Sequence, residues 1–330
     1  MIEDTAAKEP SLGGPAPRNR TLKLSAEEMA EYGEKLLRLS EKTGLEGLEG
    51  RIINQPLEQV LPFLPDEAFI DLLFVDPPYN LDKDFGTLNF KKMSAEAYEN
   101  WLEGWLSRLA GKLKPTASIY VCGDWESSSA IYRLLQKYFK LRNRITWERE
   151  KGRGAKSNWK NCSEDLWYAT VSNDFTFNTD AVKLKRRVIA PYRNREGMPK
   201  DWQIEEAGNY RLTHPSNLWT DITVPFWSMA ENTDHPTQKP EKLLAKIILA
   251  SSNPGDLVFD PFLGSGTAAV VAKKLGRRFA GIELDYRYAC LAQYRLHLAE
   301  SDKSIQGYRD GVFWERNSAN LQKPKTLPEL

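Results

Sequence analysis

Between Asp256 and Glu283 the chain runs through a pattern that few folds accommodate. Asp256-Leu257-Val258-Phe259-Asp260 is a short apolar run, as in a strand buried on both faces of a parallel sheet. Pro261-Phe262-Leu263-Gly264-Ser265-Gly266-Thr267 is a tight glycine-rich turn. Residues 268–275 read as a helix, and Phe279 to Glu283 as the next strand, closed by an acid. This order predicts an α/β fold, in which ligands sit beyond the carboxyl ends of the strands. Literally, Gly264-Ser265-Gly266-Thr267-Ala268-Ala269 matches the dinucleotide fingerprint, and Glu283 lies near the distance of a ribose-binding acid. A dehydrogenase is therefore a rival reading, but two details oppose it. Asp260 ends the strand, and a Pro-Phe-Leu spacer separates it from the first glycine, whereas pyrophosphate binding wants that glycine directly after the strand. The extra carboxylate suits a cationic ligand with an amino group and a sulfonium but no phosphate, such as S-adenosylmethionine. The glycines let the backbone approach it closely, and Glu283 would take its ribose hydroxyls.

A second strand end carries equally pointed chemistry. Asp71-Leu72-Leu73-Phe74-Val75 reads as a buried strand, and Asp76-Pro77-Pro78-Tyr79 follows it. The prolines stop the strand and stiffen the chain beyond it. A carboxylate, a rigid carbonyl and an aromatic ring are thus presented together. The set suits an exocyclic amino group on a flat base: Asp76 and the Pro77 carbonyl accept its two protons and Tyr79 stacks on the ring. The plainer alternative is a proline-rich turn after a core strand.

Hydrophobic residues make up 41% of the 330 and charged residues 28%, ordinary for a globular chain able to bury a sizeable core. Net charge is +1, so a nucleic-acid surface would have to be a local patch. There is no apolar run of about 18 residues to span a membrane, and no signal-peptide core. Cys122, Cys162 and Cys290 form neither a metal-ligand pattern nor a disulfide framework, which fits a reducing cytoplasm.

Residues 1–24 read as a disordered tail. Residues 25–50 read as a helical arm opened by the Ser25–Glu28 capping box. Trp101, Leu102, Trp105, Leu106 and Leu109 mark the core face of a helix. Residues 80–94 read as a long loop. Residues 140–160 hold eight basic side chains against two acidic ones, Glu148 and Glu150. Within that run Arg149, Lys151, Arg153, Lys156, Trp159 and Lys160 suit phosphate contact and base stacking. Residues 181–234, with Arg186 and Arg187, lose periodicity and read as an insertion outside the main sheet. The last stretch, 301–330, reads as a loosely attached tail.

Together, Asp260-Pro-Phe-Leu-Gly-Ser-Gly-Thr267, Gly281-Ile-Glu283-Leu-Asp285, His235-Pro-Thr-Gln-Lys-Pro240 and Asp76-Pro-Pro-Tyr79 resemble the β group of DNA amino-methyltransferases over roughly residues 51–300. That group is circularly permuted, its catalytic half preceding its cofactor half, as here. The resemblance implies a Rossmann-like, seven-stranded, mostly parallel sheet, with a catalytic half at 51–180, target recognition at 181–234 and a cofactor half at 235–300. It implies S-adenosyl-L-methionine as cofactor, held by Asp260, Phe262, Gly264, Ser265, Gly266, Thr267, Glu283 and Asp285, with Thr237, Gln238 and Lys239 near its methionine carboxylate. It implies catalysis at Asp76, Pro77, Pro78 and Tyr79. The segment around Trp159 and Lys160 matches one that faces the flipped base.

One position departs from the pattern. The family commonly places an acid after the first strand, against the cofactor adenine, where this chain has Asn54-Gln55; Gln55 is the expected substitute. No metal is expected. The resemblance points to duplex DNA as partner, with a companion endonuclease and a homodimer as further expectations. Aspartate at the head of the motif favours adenine N6. Cytosine N4, structured RNA, and a catalytically idle DNA-binding module are the alternatives.

Overall fold

The computed structural model describes residues 18–84, 89–149, 157–188, 192–205 and 208–318. The chain opens with α1 (Ala26–Gly33) and α2 (Leu45–Leu48). Next come β1 (Arg51–Ile53), α3 (Leu57–Val60), β2 (Ile70–Val75) and the short hairpin β3 (Lys83–Asp84) and β4 (Asn89–Phe90). Helix α4 (Ala95–Ala110), β5 (Leu113–Gly123), α5 (Ser128–Tyr138), β6 (Lys140–Glu148) and β7 (Ser163–Thr170) follow. After them run β8 (Leu184–Arg187), β9 (Gln203–Glu205), β10 (Gly208–Thr213) and β11 (Leu218–Trp219). The chain then forms α6 (Glu241–Ser251), β12 (Leu257–Asp260), α7 (Thr267–Lys274), β13 (Arg278–Ile282) and α8 (Tyr286–Ser301). Last come β14 (Tyr308–Arg309) and β15 (Val312–Trp314).

Among the described residues the main sheet has eight strands, in the order β1-β13-β12-β2-β5-β7-β6-β11. Seven are those the resemblance implies. The eighth, β11, is two residues long and lies parallel to β6, so the 181–234 segment is not wholly outside this sheet. Strands β1, β13, β12, β2 and β5 are mutually parallel, while β7 runs antiparallel to both its neighbours. Their continuous apolar sequences explain the arrangement: Leu72, Leu73 and Val75 of β2 and Leu257, Val258 and Phe259 of β12 are buried, as expected of strands covered by helices on both faces. One face packs on α4 and α5 through Leu102, Trp105, Leu106 and Leu135, the other on α6 and α7 through Leu244, Ile248 and Val271.

The parallel register fixes what the sheet presents. Phe259 pairs with Leu73, Asp260 with Gly281, and Ile282 with Ile53. Gln55, Glu283, Asp260 and Asp76 therefore leave four adjacent strands at the same edge, although they come from distant parts of the sequence.

A second sheet, β14-β15-β8-β10-β9, stands beside the first. It corrects the reading of the C-terminus: residues 301–318 are folded, and Phe313 of β15 is fully buried against β8. Nothing in 301–318 alternates strongly enough to announce strands, because β14 and β15 are short. The N-terminal expectation also needs correcting. Residues 18–24 lie against the body, with the Arg20 N–H donating to the Trp227 carbonyl at 2.6 Å and that of Leu22 to Asn232 at 2.8 Å. The capping box forms as read, Ser25 Oγ accepting from Glu28 N and Glu28 Oε2 from Ser25 N. The loop at 80–94 contains the β3–β4 hairpin.

Candidate active site

Asp76 stands just past β2 with its carboxylate turned into a cavity of about 350 Å³. Tyr79 Oη donates to Asp76 Oδ1 at 3.2 Å, and Lys239 Nζ lies 2.6 Å from Oδ2. Tyr98 of α4 donates to the Pro78 carbonyl at 2.9 Å, pinning the far side of the turn. The Pro77 carbonyl is thereby left in a backbone that neither proline allows to swivel.

Two further carboxylates share the cavity. Asp260, 3% exposed, accepts from Phe262 N at 3.0 Å. Burial pushes its carboxyl well above the ordinary range, against that single backbone donor. Burial also pushes Glu283 up, to about 7, although the N–H groups of Asp285 and Gly264 donate to it. A cationic ligand would relieve both. The glycine turn between them is held open by conformation. Gly264 adopts φ 55°, where a Cβ would stand 3.1 Å from His235 Nε2, and Gly266 adopts φ 83°, where a Cβ would strike Ala292. Only glycine meets both demands.

The cavity brings together nearly all the expected site residues: Asp76 to Tyr79, Thr237 to Lys239, Asp260, Phe262, Gly264, Ser265, Thr267, Glu283, Asp285 and Gln55 all line it. Several are held differently from expectation. The Gln55 amide bonds both the N–H and the carbonyl of Leu39, at 2.6 and 2.9 Å. Glu58, in the first turn of α3, is the acid lining that part of the wall. Gln238 is likewise tied into its own loop, accepting from Thr233 and donating to the Glu231 carbonyl. Burial alone would lower the Lys239 pKa, but the Asp76 and Glu164 carboxylates outweigh it and hold the ammonium above the usual lysine range. Ser265 and Thr267 accept from Arg295, which is buried and paired with Glu241 at 3.0 Å. Asp285 caps α8, accepting from Tyr288 N.

Sequence reasoning missed Phe90, Trp101, Leu284 and Tyr288 in the wall, and His235, which a motif displayed but no role claimed. Trp101 reads from the sequence as core, and it does stack on Tyr98 and meet Phe262.

The basic segment divides. Lys151, Arg153 and Lys156 lie outside the described residues. Arg142 is bonded to Thr170 and Ser172, and Arg149 is turned inward onto Glu164. Arg149 is therefore a corrected expectation: its charge is committed inside the protein rather than offered to phosphate. Trp159 is 94% exposed and Lys160 is exposed beside it. On the second sheet Arg187 is exposed and Arg186 lies 3.4 Å from Glu315.

Residues 70–294 match the N6/N4 family model described as DNA methylase. The chain is a member of this DNA methylase family. The methylase is 33% identical over 276 residues to the DNA adenine methyltransferase YhdJ of Escherichia coli (strain K12), covering 81% of this chain and 88% of that one. It is 36% identical over 240 residues to the type II methyltransferase M.HpaI of Haemophilus parainfluenzae, covering 70% and 69%. Among solved structures, a DNA modification methylase of Thermus thermophilus in complex with S-adenosyl-L-methionine superposes with TM-score 0.51 at 20% identity, over 81% of this chain and 98% of that one. The cytosine-N4-specific PvuII DNA methyltransferase superposes at 0.53 and 18%, over 77% and 87%. At these identities the superpositions speak for the fold. The Rossmann-like methyltransferase architecture is thus common to them and to this methylase.

Proposed function

We propose that this methylase transfers a methyl group from S-adenosyl-L-methionine to N6 of an adenine flipped out of a specific short sequence in duplex DNA. The observation carrying this reading is the row of carboxylates. Asp76 enters the same cavity as Asp260 and Glu283, so a base amino group and a cationic methyl donor can meet between them. The relative named an adenine methyltransferase and the aspartate heading the motif favour adenine over cytosine.

The donor set fits the cofactor. Asp260 is a buried carboxyl that wants a cation, Glu283 can accept from ribose hydroxyls, and Phe262 and Trp101 offer aromatic walls to the adenine. Glu58, rather than Gln55, is the acid available to its amino group. When bound, S-adenosylmethionine supplies an electrophilic methyl. The protein does the rest. Flipping the base costs a few kcal/mol, and Tyr79 offers it a stacking face. Asp76 and the Pro77 carbonyl accept its amino protons, hold the nitrogen tetrahedral and steady the positive charge that grows on it. Alignment of nitrogen and methyl supplies much of the remaining acceleration.

We assign residues 51–180 to catalysis, 181–234 to target recognition and 235–300 to the cofactor. Trp159, Lys160 and Arg187 are the candidates for DNA contact. Among the described residues no helix is long and apolar enough to cross a membrane. The reading extends to the cytoplasm, in keeping with three free cysteines, to a companion endonuclease and to a homodimer.

The test is methyl transfer from labelled S-adenosylmethionine to unmethylated genomic DNA, with digestion to nucleosides. Label in N6-methyladenine at one repeated sequence is the expected result. Label in N4-methylcytosine moves the target base, and label in RNA alone overturns the reading. Glu283 adds a pH prediction. Ribose hydroxyls favour its carboxylate, and its pKa is about 7. Below that pH a proton must first be lost, at about 1.4 kcal/mol per unit. Cofactor affinity measured by calorimetry should therefore fall nearly tenfold per unit between about pH 7 and 5.5. The Glu283→Gln variant should bind weakly and lose this slope.

A further inference from the structure

Methyl transfer needs Asp76 as a negative carboxylate, yet the structure sets a cation on it, Lys239 Nζ at 2.6 Å from Oδ2. An ammonium at that range cancels much of the field that would steady positive charge on the target nitrogen. A second acceptor lies close to the same Nζ: Glu164 Oε2, at 3.4 Å. Glu164 sits near the start of β7, opposite Trp147 of β6, and its side chain is 4% exposed. Its other oxygen, Oε1, is bonded by Arg149. Oε2 is buried and accepts no hydrogen bond from any described residue. A buried carboxylate oxygen left without a donor is costly, and the chemistry derived above gives it no use.

We propose that Glu164 is a positioning residue for methyl transfer: its open oxygen is a second berth for the Lys239 ammonium, which leaves Asp76 for Glu164 as the target amino group arrives. Arg149 grips Oε1, so Oε2 stays turned toward Lys239. Bringing Nζ and Oε2 from 3.4 Å to hydrogen-bond length takes only about half an ångström. Two carboxylates and two cations balance in either position, so the shift relocates charge without leaving any unpaired. Lys239 keeps its proton throughout; one ion pair lengthens as another shortens, and Asp76 regains the charge its role requires.

This inference rests on the reading that Asp76 receives the amino group. Its test is single-turnover transfer of labelled methyl to unmethylated genomic DNA, with cofactor affinity measured alongside, for wild type, Glu164→Gln, Lys239→Met and the double variant. Glu164→Gln should slow transfer on the order of 10- to 100-fold while cofactor affinity holds within about threefold. In the Lys239→Met background the same change should cost under about threefold, because no ammonium remains to be moved. Glu164→Asp keeps the charge and should stay within about tenfold of wild type. Wild-type rates in Glu164→Gln, or losses that multiply in the double variant, overturn the proposal. So does a folded Glu164→Asp enzyme as slow as Glu164→Gln, and that comparison decides the matter if the Gln variant melts at assay temperature. A wild-type protein that moves no label to DNA fails the reading of the previous subsection and this one with it. An active wild type with an indifferent Glu164→Gln variant fails this one alone.

Discussion

Replacing Asp76 by alanine is expected to lower methyl transfer at least about 10²- to 10³-fold, the scale lost when one preorganised electrostatic partner of a transition state is removed. The carboxylate lies at the end of β2, where no other described acid takes its place: Asp260 is one strand away and already receives Phe262 N. Cofactor affinity should stay within about threefold in the variant, since Asp260 and Glu283 are untouched. The fold should also survive. Asp76 is only partly buried, and the Lys239 ammonium keeps Glu164 at 3.4 Å. Asp76→Asn keeps the shape but presents two donors to an amino group that needs acceptors, so it should be nearly as inactive. Single-turnover transfer and calorimetric cofactor binding check both points. A variant that methylates DNA within about tenfold of wild type would remove Asp76 from the chemistry.

Asp221→Ala should produce the largest loss of stability, about 3–5 kcal/mol, by stranding two buried ammonium groups. Asp221, beyond β11, is 5% exposed, with Lys246 Nζ 2.7 Å from Oδ1 and Lys242 Nζ 2.8 Å from Oδ2. Lys242 also bonds the Trp314 carbonyl of β15, so the cluster ties the second sheet to α6. Burial works against the Asp221 carboxylate, but the two lysines overcome it and hold its pKa below the usual value. A lowered carboxyl pKa gives stability that is present above about pH 4 and lost as the pH falls through the folded value. Urea unfolding at neutral pH should show the full difference between wild type and variant, and unfolding near about pH 3 a smaller one. The Lys246→Met variant, which leaves Asp221 paired with Lys242, should lose less. Equal stability of wild type and Asp221→Ala would mean that water reaches the cluster.

Much of this site could be read from the chain because its essential residues sit at strand ends. Asp76, Asp260 and Glu283 each close an apolar run, and a parallel sheet places such ends along one edge. What could not be read were partnerships between distant segments. Lys239 follows a proline-rich motif, and nothing local says that its ammonium reaches Asp76, 163 positions earlier. Arg149 looked like part of a solvated basic run because its partner, Glu164, stands on the next strand and belongs to no motif. The Gln55 amide is spent on Leu39 for a similar reason: the arm before β1 folds back along it. Strands β14 and β15 are too short to give a period, and their place beside β8 is set by a long return of the chain.

The last of these strands bears on how the molecule can be cut. The family signature stops at residue 294, but the folded unit continues to Ser318. A chain ended at the signature would keep every residue proposed for chemistry. It would also strip β15 from β8, take away the Trp314 carbonyl that Lys242 holds, and bare a row of unpaired backbone donors and acceptors next to the cavity left by Phe313. Open edges of that kind recruit other strands, so such a fragment would aggregate before its catalysis could be judged. Fusions and tags belong after Ser318, and the boundaries of this protein are better drawn from its sheets than from its motifs.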